Sequence, residues 1–239
     1  MHEELSAVLA LMPDERKQVA AGREFWLGHL HGHEVVVVLS RIGKVAAATT
    51  ATVAIERFGA TRVVFTGVAG GLAPGVKVGD IVVADSFMHH DLDASPIFPK
   101  YELPLYGLSR LVTDGRLRAE LLNAASRVMA DLPDIVGPAA CSQFPLSTAA
   151  VHQGLVVSGD RFVSSSVESQ ALRDALPEAL AVEMEGAAIA QVCHDYGVPF
   201  GAVRTISDRA DDLAQADFAD FVRKVASRYS SALIANLLH

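Results

Sequence analysis

Acidic and hydroxyl-bearing side chains that could perform acid–base chemistry are concentrated within residues 179–211. Glu183 and Glu185 lie at the end of the apolar run ALAVEME, and Ser207 and Asp208 follow the apolar run FGAVRTI. Because an unpaired carboxylate is costly to bury, this grouping in an otherwise apolar region indicates a polar pocket. The alternative for each acid is a helix cap or a solvated loop position, which explains many acidic residues at strand ends.

The elements that must position these groups form a strand–helix–strand unit. A strand with Glu183 and Glu185 two residues apart directs both side chains to one face. The small-residue stretch GAAIAQVCHDY predicts a helix, and the second strand is then expected to be a parallel neighbour of the first, or nearly so. Ligands of such sheets bind beyond the carboxyl ends of the strands, where we expect Glu185 and Asp208, with Arg204 close by.

Strands and helices alternate along almost the whole chain, a pattern that predicts one three-layer α/β domain over residues 1–239. Strands are predicted at residues 33–40, 61–67, 80–86 and 154–163, and helices at residues 5–20, 44–58, 108–132 and 218–238. The glycine-rich residues 67–80 predict a turn that lets backbone amides approach a ligand closely. Residues 90–107 and 138–152 are predicted to be irregular loops.

The composition argues against several functional classes. The net charge is −8 and no basic cluster is present, so we expect no nucleic-acid partner. No apolar run reaches the ~18 residues that span a bilayer, so no membrane partner is expected. Cys141 and Cys193 form no disulfide framework, and without a visible signal peptide the expected location is the cytoplasm. No histidine pair has zinc-helix spacing and the glycine run matches no nucleotide-binding fingerprint, so we expect neither metal nor cofactor.

Several sequence blocks together resemble one known family. They are SRIGKVAAA (40–48), TGVAGGLAPGVKVGDIVVAD (66–85), VVSGDRFV (156–163), AVEMEGAAIAQVC (181–193) and VPFGAVRTISDRAD (198–211). In this order, across nearly the whole chain, they resemble the 5′-methylthioadenosine/S-adenosylhomocysteine nucleosidases of the nucleoside phosphorylase/hydrolase superfamily. The resemblance implies a three-layer α/β/α fold with a central twisted mixed β-sheet. It also implies hydrolysis of the N-glycosidic bond of 5′-methylthioadenosine and S-adenosylhomocysteine, which releases adenine and the 5′-thioribose.

The resemblance further implies catalytic roles for residues that match the family motifs. Asp208 would donate a proton to N7 of adenine, oriented by Ser207, because adenine is a poor leaving group unless protonated. Glu4, in the N-terminal motif MHEEL, would activate the attacking water, which Arg204 would help to hold. Glu185 would bind the ribose hydroxyls and stabilise the positive charge that develops on the sugar.

The other implied residues bind the substrate. Glu183 would support Glu185, Met184 would pack beneath the sugar, Phe162 would stack on adenine, and the backbone of Val163 would read the purine edge. Without the resemblance, Phe162 and Met184 could equally be core residues. In the implied site, Ala69 and Gly70 would contact the nucleoside through the backbone. An apolar pocket for the 5′-thio group would be lined by Met1, Ile42 and Phe218.

Three features depart from the family pattern. The family's first strand is missing from this sequence, because Met1 already lies at the motif that contains Glu4. Val68 stands where a serine is common, which favours water over phosphate as the nucleophile, whereas the positive charge of Arg41 keeps phosphorolysis open. The apolar loop at residues 90–107 also differs, and in the family this region reaches the partner subunit's active site, which implies a homodimer.

Three alternatives to the implied reaction stay open at this point. They are a purine nucleoside phosphorylase of the same fold, a hydrolase for another 6-aminopurine nucleoside such as aminodeoxyfutalosine, and a catalytically impaired nucleoside-binding protein. In each case the expected partners are a small-molecule nucleoside and a second copy of the chain.

Overall fold

Two β-sheets and the helices around them make up the computed structural model, which describes residues 1–144, 146–211, 218 and 220–239. The strands are Arg16–Ala20 (β1), Arg23–Leu30 (β2), His33–Val38 (β3), Val63–Gly71 (β4), Ile81–His89 (β5), Leu111–Val112 (β6), Val151–Ser158 (β7), Ala179–Glu183 (β8) and Phe200–Asp208 (β9). The α-helices are His2–Leu9 (α1), Lys44–Phe58 (α2), Gly115–Ala130 (α3), Leu132–Val136 (α4), Pro138–Gln143 (α5), Ser166–Ala175 (α6), Gly186–Tyr196 (α7) and Ser227–Leu237 (α8). A 3₁₀ turn covers Leu146–Thr148, and a π-helical turn, Val222–Ala226, leads into α8.

The larger sheet is mixed and closes on itself. Its strand order is β6-β5-β7-β8-β4-β9, and β9 also pairs with β5. Strands β5, β7 and β8 run parallel to one another and β4 runs parallel to β9, whereas the β4–β8 and β5–β9 pairings are antiparallel. The expectation that β8 and β9 are parallel neighbours, or nearly so, is therefore wrong, because β4 lies between them and runs antiparallel to β8 but parallel to β9. Their ends nevertheless meet at one edge of the sheet.

Helices cover the large sheet on two sides. Along β5, Val82 and Ala84 belong to a buried cluster that includes α2 and α7, while Ile81 and Val83 belong to a second cluster that includes α3 and α8. Because alternate residues of a strand face opposite sides of a sheet, the two clusters are two separate helix layers. The predicted three-layer fold with a mixed sheet is confirmed.

The glycine run was expected to form a turn from residue 67, but β4 continues through it to Gly71. Gly70 pairs with Val182 and Gly71 with Ala181, so the run itself joins β4 to β8. Glycine inside a strand often marks a place where another group approaches the backbone closely. This is the case here, because a Cβ at Gly67 would lie 2.3 Å from Arg204 and a Cβ at Gly70 would lie 2.9 Å from Asp208.

The N-terminal region also differs from the expectation of a helix over residues 5–20. Helix α1 ends at Leu9, and residues 16–20 form β1, which pairs with β2 in an antiparallel sheet of three strands. A local helical pattern was therefore overridden by pairing with the next strand. The stretch 138–152 is not a simple loop either, because it contains α5, a 3₁₀ turn and the start of β7. The predicted helices at residues 44–58 and within residues 108–132 are confirmed as α2 and α3.

A cavity of about 690 Å³ separates the small sheet from the large one. It is lined by Val36 of β3, Val64 of β4 and Ala51 of α2, and Glu4 also reaches it. Within the described residues, β3 pairs with β2 alone, and β4 pairs with β8 only at Gly70 and Gly71. The edges of β3 and of the first half of β4 that face the cavity therefore lack a strand partner.

None of the helices in the described part of the chain combines the length and the apolar character that a bilayer crossing requires.

Candidate active site

The carboxylate of Glu183, the last residue of β8, holds the start of α7. It accepts hydrogen bonds from the backbone amide of Gly186 at 2.9 and 2.8 Å and from that of Glu185 at 3.1 Å. The Ser158 hydroxyl donates a further bond to the same carboxylate. A negative charge at a helix N-terminus is favourable because the first amides of the helix lack intrahelical acceptors. Glu183 is therefore a structural anchor for the residues beside it.

Arg204 of β9 is the cation that balances this buried charge. Its side chain is 2% exposed and its Nη2 lies 2.5 Å from a Glu183 carboxylate oxygen. The guanidinium also lies 3.7 Å from the centroid of the Phe65 ring, a cation–π contact. The guanidinium crosses β4 at Gly67, where no side chain could be accommodated. One ion pair thus connects β8 to β9 across the strand between them.

Asp208 ends β9 and is buried, with 2% of its surface exposed. One carboxylate oxygen accepts a hydrogen bond from the Ser207 hydroxyl and the other accepts one from the backbone amide of Ala210, both at 2.8 Å. The same carboxylate lies against Gly70 of β4. When protonated, a carboxyl group in this position could act as a general acid, with the Ser207 hydroxyl in contact with one of its oxygens.

Glu185 lies two residues after the end of β8, and its carboxylate has hydrogen-bond partners different from those of Glu183. Its carboxylate accepts a hydrogen bond from the backbone amide of Gly43 at 2.9 Å. Burial, followed by the negative charge of Glu183, raises the pKa of Glu185, although Arg204 acts in the opposite direction. Although Glu183 and Glu185 are only two residues apart in the sequence, their carboxylates therefore have different surroundings. The Glu183 carboxylate is bonded to backbone amides, to Ser158 and to Arg204, whereas the groups that bond to Glu185 are the backbone amides of Gly43 and Met184. The Glu185 carboxylate could therefore accept further hydrogen bonds from a ligand.

The aromatic residues expected around the ligand also come together. The rings of Phe162 and Phe218 are 5.8 Å apart in an edge-to-face arrangement, and Phe162 is 40% exposed. Val163 beside it is buried. Ile42, adjacent to Gly43, is 68% exposed, and Met184 lies half-buried between the two glutamates. Ala69 joins the site through its carbonyl, which accepts a hydrogen bond from Ser207 at 3.4 Å.

Glu4 and Met1 are placed differently from the other expected residues. The Glu4 carboxylate is buried and bonds to the terminal ammonium of Met1 at 2.7 Å and to the Ser230 hydroxyl at 2.8 Å. Both residues line the cavity between β3 and β4. The nearest cation to Glu4 is thus the chain's own N-terminus, and Arg204 is paired with Glu183 instead.

The sequence analysis missed Ser158, which bonds to both Glu183 and the backbone amide of Ala187. Its only signal was its place in the block VVSGDRFV. Arg41, whose charge had no assigned role, donates a hydrogen bond to the carbonyl of Gly22 and so belongs to the small sheet. Among the described residues, no three His, Cys, Asp or Glu side chains are arranged to hold a metal ion.

Comparison with known proteins places this arrangement in a family. Residues 1–238 match the family model described as the phosphorylase superfamily. A 5′-methylthioadenosine/S-adenosylhomocysteine nucleosidase of Shewanella putrefaciens is 36% identical over 238 residues, which cover 100% of this chain and 94% of the relative. The chain belongs to the 5′-methylthioadenosine/S-adenosylhomocysteine nucleosidase family. The resemblance seen in the sequence is thus confirmed.

Solved structures agree with this membership. The nucleosidase from Neisseria meningitidis, in complex with methylthio-immucillin-A, is 36% identical and superimposes with a TM-score of 0.86, covering 99% of this chain and 94% of that one. The futalosine hydrolase of Helicobacter pylori is 32% identical with a TM-score of 0.84, covering 99% and 93%. The fold is therefore shared by enzymes that act on more than one nucleoside.

The raised pKa of Glu185 predicts a pH-dependent stability difference. In the unfolded chain Glu185 ionises near pH 4.5, the ordinary pKa of a glutamate, whereas in the folded protein it ionises only at a higher pH. Between these two pH values, ionisation lowers the free energy of the unfolded state alone. The wild type therefore loses stability until the pH passes the raised pKa. We expect the free energy of unfolding of Glu185→Gln, relative to wild type, to increase over this interval and then level off. Urea denaturation at several pH values from about 4 to about 8 measures it. A difference that stays constant with pH would contradict the prediction.

Proposed function

We propose that this protein hydrolyses the N-glycosidic bond of 5′-methylthioadenosine and S-adenosylhomocysteine, releasing adenine and the corresponding 5′-thioribose. The observation that carries the proposal is the buried Asp208–Ser207 pair at the end of β9, next to the backbone of Gly70. The family membership and the nucleosidase names of full-length relatives support the same reaction.

Asp208 is the proposed general acid. Cleavage of the glycosidic bond leaves electrons on the purine, so protonation at N7 makes adenine a better leaving group. The Ser207 hydroxyl, bonded to the same carboxylate, would keep the acid aimed at that nitrogen. Phe162 would stack on the purine, and the backbone of Val163 would bond to the purine's hydrogen-bonding groups. This arrangement would fix the base with respect to the donated proton.

Glu185 is the proposed partner of the sugar. The ribosyl centre becomes oxocarbenium-like as the bond breaks, so a nearby carboxylate stabilises it. Burial removes water from the Glu185 carboxylate, and ribose hydroxyls would donate the hydrogen bonds that water otherwise supplies. Met184 would pack beneath the sugar, and Ala69 and Gly70 would contact the nucleoside through the backbone. The Glu183–Arg204 pair would hold these groups without contacting the sugar itself.

Water is the proposed nucleophile. Val68 offers no hydroxyl for a phosphate, and Arg41, the cation that kept phosphorolysis open, is bonded to the Gly22 carbonyl. Incubation with 5′-methylthioadenosine in phosphate-free buffer should release adenine and free methylthioribose. Adenine release that requires phosphate and yields 5-methylthioribose 1-phosphate would contradict hydrolysis. Calorimetric binding of the nucleoside without adenine release over hours would instead identify a catalytically impaired binding protein.

Replacing the proposed acid gives a sharper prediction. Asp208→Asn should lower kcat for adenine release by about 10²–10⁴-fold, because the proton donor is lost. The fold should survive, since an asparagine can still accept the bond from Ala210. Asp174→Asn, on the surface of α6, is the matched control and should retain wild-type kcat. Near-normal turnover in Asp208→Asn would reject the assignment.

Glu4 is the proposed base that activates water, with Met1, Ile42 and Phe218 beside the 5′-thio group. This role requires the Met1 ammonium to leave the Glu4 carboxylate. We propose that one more β-strand can fill the cavity between β3 and β4, whose facing edges lack strand partners among the described residues, and that it would free Glu4.

An N-terminal extension tests this role of Glu4. Joining about eight β-branched apolar residues ahead of Met1 turns its ammonium into an amide and supplies a strand of ordinary length. We expect kcat/KM to rise relative to a glycine–serine extension of the same length, which removes the charge without forming a strand. If both extended proteins have the activity of the unextended chain, neither the Met1–Glu4 ion pair nor the cavity between β3 and β4 limits catalysis, which would contradict the proposal.

A homodimer in the cytoplasm is the proposed state of the protein. Ile97 and Leu105 in the loop at residues 90–107 are 81% and 91% exposed, which is typical of an interaction surface. Light scattering should give twice the 25.3 kDa of one chain, and a mass of one chain would contradict the dimer. The free cysteines Cys141 and Cys193 support a reducing compartment, which cell fractionation would test.

A second substrate is favoured by one specific observation. The futalosine hydrolase that shares this fold is about as similar to the chain as several nucleosidases are. The two candidate substrates, 5′-methylthioadenosine and aminodeoxyfutalosine, differ in the group at the 5′ position, which the exposed Ile42 would face. Comparing kcat/KM for 5′-methylthioadenosine and aminodeoxyfutalosine decides between them.

A further inference from the structure

Three charged residues from distant parts of the chain meet beside the site. Lys44 is the first residue of α2, Asp91 follows β5, and Asp160 follows β7. The Lys44 ammonium donates to one oxygen of Asp91 at 2.6 Å, and the backbone amide of Asp160 donates to the other at 2.9 Å. The backbone amide of Lys44 in turn donates to the Asp160 carboxylate at 2.7 Å. The three residues, here called the Lys44–Asp91–Asp160 cluster, form a closed ring of contacts.

Two residues of the cluster lie close in the sequence to residues that bind, or hold, a proposed ligand-binding group. Gly43, which precedes Lys44, donates its amide to Glu185, the proposed ribose partner. On the other side, Asp160 lies two residues before Phe162, the proposed purine stacker. The ring therefore joins the segment that contacts the sugar side to the segment that contacts the base side.

The packing around Asp91 leaves little freedom for these segments. A Cβ at Gly159 would overlap the His90 ring and lie 3.1 Å from the Asp91 carboxyl carbon, so a side chain there would require the His90 ring to move. The side chains of Lys44 and Asp91 are 22% and 31% exposed, which is less than for most surface ion pairs of this chain. Burial favours a higher pKa for Asp91, but the bonds from Lys44 and Asp160 outweigh it and lower the pKa. Asp91 is thus ionised at neutral pH.

We propose that Asp91 is a positioning residue, which holds the segment at residues 42–44 and the segment at residues 159–163 at a fixed separation, so that Glu185 and Phe162 face the same nucleoside. The inference rests on the proposed function, because it names those two residues as ligand contacts. In this proposal Asp91 acts through the Lys44 ammonium and the backbone amide of Asp160, which both donate to its carboxylate, and not through contact with the nucleoside. A displacement of about 1 Å in such a group can cost about 100-fold in rate.

The experiment compares Asp91→Ala, Asp91→Asn, Lys44→Ala and the double variant Lys44→Ala/Asp91→Ala. Glu24→Ala is the matched control, because Glu24 also accepts from a lysine, Lys17, at 2.8 Å but lies on the small sheet. The readouts are kcat and KM for 5′-methylthioadenosine, the Kd of adenine by calorimetry, and the thermal midpoint of unfolding. Adenine binding reports on the purine side alone, whereas the kinetics report on both sides.

We expect Asp91→Ala to lower kcat/KM by about 10–100-fold and to weaken adenine binding, because both segments lose their common anchor. Asp91→Asn keeps one acceptor and should show a smaller loss. The double variant should be no worse than Asp91→Ala, since residues that act through one contact are not additive. Glu24→Ala should keep wild-type kinetics.

Unchanged kcat/KM and adenine Kd in a folded Asp91→Ala variant would overturn the proposal, as would strictly additive effects of the two single substitutions. If Asp91→Ala does not fold, the same comparison is made with Asp91→Asn, for which wild-type values would overturn it equally. Wild-type protein that binds adenine but releases none from 5′-methylthioadenosine would refute the proposed function instead. The cluster would then still be tested by the adenine Kd of the variants.

Discussion

The buried ion pair between Glu183 and Arg204 is the interaction on which the rest of the site depends. Burying two charges is costly, and the attraction between them offsets that cost only when the other polar atoms are also satisfied. Here the amides at the start of α7 and the Ser158 hydroxyl satisfy the carboxylate. The guanidinium bonds to Glu183 through Nη2 and lies against the Phe65 ring, while its buried Nε has no hydrogen-bond partner among the described residues. The pair ties together the ends of β8 and β9 and the start of α7. Glu185 and Asp208 project from these ends, so the proposed chemistry requires this anchor to be in place.

The small residues of β4 follow from the same constraint. A large side chain must cross the strand for Arg204 to reach Glu183, and a carboxyl group must lie against the strand at Asp208. Gly67 and Gly70 occupy those two crossing points, where a Cβ would overlap the neighbouring group. A glycine-rich run that resembles a turn is thus a strand whose missing side chains make room for those of β9. The proposed contact between the backbone of this strand and a nucleoside depends on the same lack of side chains.

Local patterns predicted the elements whose structure is decided locally. The small apolar helix α2 and the strand–helix–strand unit that ends in Ser207 and Asp208 could be read from periodicity and turn residues. Features set by distant pairing could not be predicted. Strand β1 was hidden by a helical pattern, and the position of β4 between β8 and β9 needed knowledge of the whole sheet. The different hydrogen-bond partners of Glu183 and Glu185 depend on α7 and Gly43. The contact between Glu4 and the terminal ammonium likewise has no local signal, and Lys44, Asp91 and Asp160 meet only in the folded chain.

The central claim is that Asp208 passes a proton to N7 of the purine as the glycosidic bond breaks. The most direct measurement uses the 7-deaza analogue of 5′-methylthioadenosine, in which a carbon atom replaces N7 and cannot accept that proton. The account predicts that the analogue binds about as tightly as the substrate, within about tenfold, but releases no base, because its other contacts are preserved while the leaving group cannot be activated. Release of the deazapurine at a rate close to that of adenine would contradict the account.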